Sequence, residues 1–225
     1  MSVGVIIQAR MGSTRLPGKT LMPIGRRVLL DHVFDRLLLL RYPVQIIVAT
    51  SNCFRDDIIE SHCKRNGVAI FRGSELDVLD RYYQCAKQHC FDHVVRLTAD
   101  NPFTDIDELH RLIELHLNNG NDYTHSFGVM PLGVGAEVFT FNTLERSARE
   151  GLAANHREHV NEYVQENPKR FRIGTLPVAN EKRCAELRLT VDTEEDYRRA
   201  CRIVSQIPNR WIGTEEAIRI CSHFA

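Results

Sequence analysis

The chain has no long hydrophobic run, no excess of charge of one sign and no paired cysteine motif, and each absence removes a class of protein. The leucine stretch Leu37 to Leu40 is far short of the ~20 apolar residues that cross a bilayer. No basic segment followed by an apolar core stands at the beginning, so neither a membrane partner nor a secretory leader is expected, and the cytoplasm is the expected compartment. Lys+Arg and Asp+Glu both number 29, so no global field favours nucleic acid or an anionic membrane. Seven cysteines (53, 63, 85, 90, 184, 201 and 221) form an odd set without a Cys-x-x-Cys pair. Buried reduced thiols are expected from them rather than zinc or disulfides. Repeats, low-complexity stretches and Pro/Ser-rich linkers are missing too. With 43% hydrophobic and 26% charged residues over 225 positions, one domain spanning 1–225 is the simplest expectation.

What is present is concentrated in residues 3–19. Val3-Gly4-Val5-Ile6-Ile7 is an apolar, β-branched run that reads as a buried strand. It runs into a loop holding Arg10, Gly12, Ser13, Thr14, Arg15, Pro17, Gly18 and Lys19. Glycines let backbone N–H groups approach an anion, and arginine grips phosphate oxygens bidentately. The pattern predicts a polyphosphate cradle at the carboxyl end of a first strand. A solvated turn is the plain alternative, but turns seldom combine three cations and two glycines within ten residues. Five residues separate Gly12 from Gly18, one more than a Walker A loop has, and no Gly-x-Gly-x-x-Gly fingerprint occurs.

Strand and helix signals alternate beyond it. Leu29, Leu30, Val33, Phe34, Leu37 and Leu38 fall at helical spacing. Strands are predicted at Gln45 to Thr50, Val68 to Phe71 and His93 to Thr98. Helices are predicted at Asp56 to Asn66, Leu76 to His89 and Asp105 to Asn118, the last capped by Thr104. After Asn119-Gly120 the rhythm changes. Residues 127–135 read as a mobile loop, Glu137 to Phe141 as a strand, and Thr143 to Glu150 and Asn155 to Glu166 as helices. Phe171 to Pro177 and Leu187 to Val191 read as strands, with helices from Thr193 and over Thr214 to Ser222. The expected class is α/β: a mostly parallel, Rossmann-like sheet with helices on both faces.

Two carboxylates stand out at predicted strand ends, where open α/β sheets bind ligands. Asp100 follows the strand ending at Thr98 and precedes Pro102; it reads equally as a turn cap or as a Mg²⁺ ligand. Asp192 follows Val191, one residue before the helix-capping run Thr193-Glu194-Glu195-Asp196, so capping does not account for it. Asp105-Ile106-Asp107 has the Asp-x-Asp spacing of a glycosyltransferase metal motif, but it opens a helix behind Pro102 and is discounted.

Gln8-Ala9-Arg10-x-x-Ser13-x-Arg15-Leu16-Pro17-x-Lys19 resembles the opening of the cytidylyltransferases that make CMP-activated sugar acids, most of all the spore coat polysaccharide biosynthesis protein F family. The resemblance continues through Phe71 to Arg81, Thr98-x-Asp100-x-Pro102, Glu137-Val138-Phe139, Arg157-Glu158-His159-Val160 and Leu189 to Asp196, and covers nearly all of the chain. It implies a fold of the nucleotide-diphospho-sugar transferase type, Mg²⁺ as cofactor, CTP as donor, and an eight- or nine-carbon 2-keto sugar acid as the small anionic acceptor. By resemblance, Ala9, Arg10, Gly12, Ser13, Arg15, Lys19, Arg72, Gly73 and Ser74 would hold the nucleotide. Arg10, Arg15, Lys19 and Asp100 would act in catalysis, Asp100 and Asp192 would hold the metal, and Glu137, Arg157 and His159 would face the acceptor. Family members are commonly homodimers, which makes 120–180 the expected acceptor-side and dimerisation region. Gly133-Val134-Gly135-Ala136 stands where relatives often carry acids, so the acceptor stays open. An alcohol phosphate or phosphonate giving a CDP product is the nearest alternative. A non-catalytic nucleotide-binding module is the alternative of another class.

Overall fold

The structure is a computed structural model and describes residues 1–206 and 211–223. In chain order the elements are β1 (Val3–Gln8), β2 (Pro23–Ile24), β3 (Arg27–Val28), α1 (Leu29–Leu37), β4 (Gln45–Ser51), α2 (Asp57–Arg65), β5 (Ala69–Gly73), α3 (Val78–Gln88) and β6 (His93–Thr98). There follow α4 (Ile106–Asn119), β7 (Tyr123–His125), β8 (Glu137–Thr140), α5 (Phe141–Glu150), α6 (Ala154–Glu158), α7 (Glu162–Glu166), β9 (Ile173–Thr175), α8 (Glu194–Gln206) and α9 (Thr214–Ser222).

Among the described residues, seven strands form one sheet in the order β5-β4-β1-β6-β8-β7-β9. β5, β4, β1 and β6 are parallel, and β8 alone runs against its neighbours. Alternating side chains of the central strands supply two cores. Val5, Ile7, Val48, Val95 and Leu97 pack against α1, α2 and α4. Ile6, Ile47 and Val94 pack against Leu79, Tyr82 and Ala86 of α3, Leu144 of α5 and Val164 of α7. A third cluster joins Leu16 of the basic loop and Ile24 of the β2–β3 hairpin to Val191, Ile203 of α8 and Ala217 of α9. From β1 the chain steps outward one way through β4 to β5, then returns to β6 on the other side of β1. The order therefore reverses at the β1–β6 pair, where open α/β sheets form their ligand crevice. Gln8 and Thr98 are in register, so the loops that follow them leave the sheet side by side.

Several local expectations are corrected. Asp105 rather than Thr104 caps α4, because its Oδ1 accepts the Glu108 N–H at 3.0 Å. α3 starts at Val78 because Ser74 Oγ accepts from the Asp77 N–H in a preceding turn, leaving Asp77 to cap the helix through the Asp80 N–H. Thr140 caps α5, which therefore begins at Phe141. The helix expected over Asn155 to Glu166 is broken, with His159 extended (φ −114°, ψ 104°) between α6 and α7. Residues 120–180 supply β7, β8 and β9, which extend the same sheet beyond β6.

Leu187 to Val191 is no sheet strand. It is extended chain sewn onto the loop 127–135: Leu132 N–H donates to Leu187 O, and the Leu189 and Thr190 N–H groups donate to Leu132 O, all within 3.0 Å. The Val191 N–H donates to Asp100 O at 2.8 Å. Gly133 permits this closeness. Its φ is +100°, and a Cβ there would stand 2.5 Å from the Thr190 backbone nitrogen. Gly133→Ala is therefore expected to lower the melting temperature by roughly 4–8 °C, from about 2 kcal/mol of strain and clash. Gly128→Ala is the control, with a similar φ of +96° but open space around its Cβ position, and thermal melting should show a clearly smaller loss.

Candidate active site

Three distant stretches of chain meet at Lys19. A short 3₁₀ turn, Lys19–Leu21, places this side chain beneath the basic loop. The ammonium donates to Asp100 Oδ2 at 2.7 Å, Asp192 Oδ1 at 2.8 Å and Val191 O at 2.8 Å. Thr98 Oγ1 steadies the other Asp100 oxygen at 2.6 Å. Asp192 also faces Arg15 at 3.3 Å and accepts from Arg188 at 2.5 Å. Burial alone would raise the Asp192 carboxyl; the Lys19 hydrogen bond and charge, with Arg15 and Arg188, outweigh it and hold its pKa below the ordinary value.

Two cavities meet at these carboxylates. One, of about 230 Å³, is lined by Gln8, Ala9, Arg10, Ser13, Thr14, Arg15, Lys19, Arg96 and Val78 among others. The second, of about 530 Å³, is lined on its far side by Phe127, Met130, Pro131 and Leu132. Arg96, Thr98, Asp100, His159 and Asp192 line both and form the seam between them. His159 reaches the seam because the α6–α7 break carries its exposed side chain out of the helical path. Among the described residues no ion pair claims Arg10, which leaves its charge to the cavity.

The basic loop is held from below by a residue the sequence did not single out as functional. Asp56 is fully buried. Its Oδ1 accepts the Met11 N–H at 2.8 Å, and its Oδ2 accepts from Thr50 Oγ1, the Ser51 N–H and Ser51 Oγ at the end of β4. Thr20 Oγ1 closes the loop's other side on Arg10 O at 2.8 Å. Arg96 is the second residue missed, since in sequence it is one polar position in a strand whose neighbours are apolar. Only the mixed sheet shows its partner: β6 and β8 pair Arg96 directly with Glu137.

Other expected site residues lie elsewhere. Glu137 is fully buried, paired with Arg96 and the Tyr123 hydroxyl, and lines neither cavity. Arg157 donates to Ala148 O at 2.8 Å and stands 3.3 Å from Asp77, so it ties α6 to α5 and to the start of α3. Arg72 is spent on Asp57, Glu60 and the carbonyls of Ser51 and Cys53. Gly73 O and Ser74 O are taken by the Asn52 N–H and by Arg81, and neither residue lines either of these two cavities. Gly12 lines neither cavity, and a Cβ there would stand 2.8 Å from the Arg55 guanidinium. His156, the other histidine of α6 and its end, pairs with Glu166 at 2.7 Å and lines neither cavity. Asp105 caps α4 and binds Lys182 and Thr214, and Asp107 is exposed, so that Asp-x-Asp run is structural.

No group of three or more His, Cys, Asp or Glu that could hold a metal occurs among the described residues. Asp100 and Asp192 nonetheless present two hard carboxylate oxygens, each within 2.8 Å of one cationic nitrogen. One or two carboxylates, completed by phosphate oxygens and water, are the donor set magnesium takes at phosphoryl-transfer sites. The residues present fit such an ion.

A family model for cytidylyltransferases matches residues 4–220. The chain is 41% identical over 197 residues to the spore coat polysaccharide biosynthesis protein SpsF of Bacillus subtilis, covering 85% of this chain and 82% of that protein. The structure of a cytidylyltransferase from Leptospira borgpetersenii superposes with a TM-score of 0.93 at 34% identity, covering 100% of this chain and 95% of that one. CMP:2-keto-3-deoxy-manno-octonic acid synthetase complexed with CTP shares the fold, with a TM-score of 0.71 at 16% identity over 92% of this chain and 99% of the other. From its opening strand to its last helix, the chain belongs to the cytidylyltransferase family.

Proposed function

We propose that this protein transfers CMP from CTP to a 2-keto sugar acid, with release of pyrophosphate, in the building of cell-surface glycan. One observation carries this reading: a small basic cavity and a larger, partly apolar one share a wall containing Asp100 and Asp192. Donor and acceptor then meet over paired carboxylates. In the reaction the acceptor hydroxyl oxygen attacks the α-phosphorus of CTP, the bond to the bridging oxygen of the β-phosphate breaks, and pyrophosphate departs. Arg10, Ser13 and Arg15 hold the triphosphate and neutralise the leaving group, so catalysis is mainly positioning and charge stabilisation. Lys19 keeps the two carboxylates together and brings a further positive charge to the phosphates. His159, at the seam, orients the acceptor hydroxyl or takes its proton. Gln8, whose buried Oε1 has no partner, offers hydrogen-bonding capacity to the base edge. Asp100 and Asp192 would hold a Mg²⁺ ion, which would supply charge neutralisation to the phosphates and make the acceptor hydroxyl more acidic.

The acceptor-side lining argues against a phosphate- or phosphonate-bearing acceptor. Among its described residues Arg96 is the only Arg or Lys, and Asp100 and Asp192 face the same space. A phosphate dianion would meet one guanidinium and two carboxylates; a carboxylate monoanion suits the site better.

Purified protein incubated with each of the four ribonucleoside triphosphates and a panel of sugar acids should release pyrophosphate with CTP and a 2-keto acid. Release that needs an alcohol phosphate instead, or a different nucleotide, overturns the proposal. Chelation with EDTA should stop turnover and Mg²⁺ should restore it. Asp100→Asn and Lys19→Met should each lower kcat by at least ~100-fold while the circular dichroism spectrum stays native. Near-normal kinetics in either variant would remove that residue from the reaction centre.

A further inference from the structure

Arg96 has a rigid setting and an unused capacity. Its Nη1 donates to Glu137, whose other oxygen accepts from the Tyr123 hydroxyl, and the Asn161 amide reaches that hydroxyl at 3.5 Å. Its Cζ lies 5.8 Å from the centroid of the Tyr82 ring. Charge fixes the guanidinium from behind and an aromatic face holds it from the side. Yet Nε is buried without a hydrogen-bond partner, and the 16% of the side chain that stays exposed lines both cavities. A buried ion pair kept for stability alone is a poor bargain against apolar packing of the same volume. A guanidinium braced on one edge and opening on a binding cavity has a better use.

We propose that Arg96 anchors the carboxylate of the acceptor and makes this enzyme selective for carboxylic acids, with Glu137 and Tyr123 as positioning residues behind it. The inference rests on the cytidylyl-transfer reading and deepens it by naming the group that selects the acceptor. The planar fork matches a carboxylate, and in the surroundings of Phe127, Met130 and Leu132 it is the cation an anionic acceptor meets. Its place at the seam also accounts for regiochemistry. In a cyclised 2-keto acid the carboxylate and the anomeric hydroxyl share one carbon. A carboxylate held by Arg96 therefore delivers that hydroxyl beside the α-phosphate, next to Asp100 and His159.

The test uses Arg96→Lys, Tyr123→Phe and the double variant Arg96→Met with Glu137→Gln, which removes the charge pair together and leaves no orphaned buried carboxylate. With a sugar acid that wild type uses, the double variant and Arg96→Lys should raise acceptor KM roughly 10- to 100-fold, with CTP affinity by calorimetry unchanged. Tyr123→Phe should raise acceptor KM by a smaller factor, again without moving CTP. Acceptor KM within threefold of wild type overturns the inference, as does CTP affinity falling by the same factor as acceptor use. Saturation-transfer NMR with pyruvate, the smallest 2-keto acid, reads the anchor without turnover. Pyruvate contact present in wild type and lost in the double variant supports it, whereas contact equal in both, or absent from both, overturns it. A wild type that holds pyruvate through Arg96 but turns over no sugar acid overturns the proposed reaction and leaves the carboxylate anchor standing.

Discussion

The active-site region depends on one ammonium group placed between two carboxylates. Lys19 joins the basic loop to Asp100, 81 positions away, and to Asp192, 173 positions away. Two carboxylates so near one point repel strongly in a partly desolvated setting, and a shared cation turns that repulsion into cohesion. The third Lys19 bond, to Val191 O, fixes where the segment carrying Asp192 lies. Without this contact the end of β6 and the approach to α8 would have no common charge to close upon.

Around this point the fold supplies rigidity in layers. The β1–β6 pairing sets the two loop origins side by side, Asp56 clamps the start of the basic loop to β4, and Leu132 sews 187–190 to the loop 127–135. Arg36 serves the opposite flank. It is buried and donates to the carbonyls of Pro102, Thr104 and Ile212, tying the chain after Asp100 to the approach to α9. Desolvation lowers its pKa to about 10, so it keeps its charge at neutral pH and each of its bonds to a carbonyl is charge-assisted. Arg36 thus acts as a fastener where backbone carbonyls would otherwise lose a partner.

The two cavities differ in character because different parts of the sheet border them. The parallel half ends in polar loops with cations and borders the cavity proposed for the nucleotide. The mixed half, built by β7, β8 and β9, borders the loop holding Phe127, Met130 and Leu132. Reversal of β8 is what brings Glu137 opposite Arg96, since a parallel neighbour would carry a different register and different side chains. The charge pair so formed is a consequence of topology. Glu137 suppresses the cost of burying Arg96: desolvation works against the guanidinium charge, but the carboxylate outweighs it and raises its pKa.

Apart from the two-residue strands β2 and β3, local chemistry in the sequence was enough for the first strand, the basic loop, the order of strands and helices through α4, and the pairing of Asp100 with Asp192. Those features rest on short-range patterns: β-branched runs, helical spacing, and acids that follow extended apolar runs. The breaks and false starts followed competing local bonds, as when Asp105 rather than Thr104 captured an N–H, or when Leu187 to Val191 paired with Leu132 instead of joining the sheet. Three-residue β7 carried too little pattern to see. Which cations stand free could not be read locally, because a charge is consumed or spared by partners far away in the chain. Arg72 and Arg157 met acids and carbonyls in three dimensions, and Arg96 and His159 were turned to the cavities. Sequence determined which chemical groups this protein owns; tertiary structure decided which of them face a ligand, since only packing brings the partners that neutralise the rest.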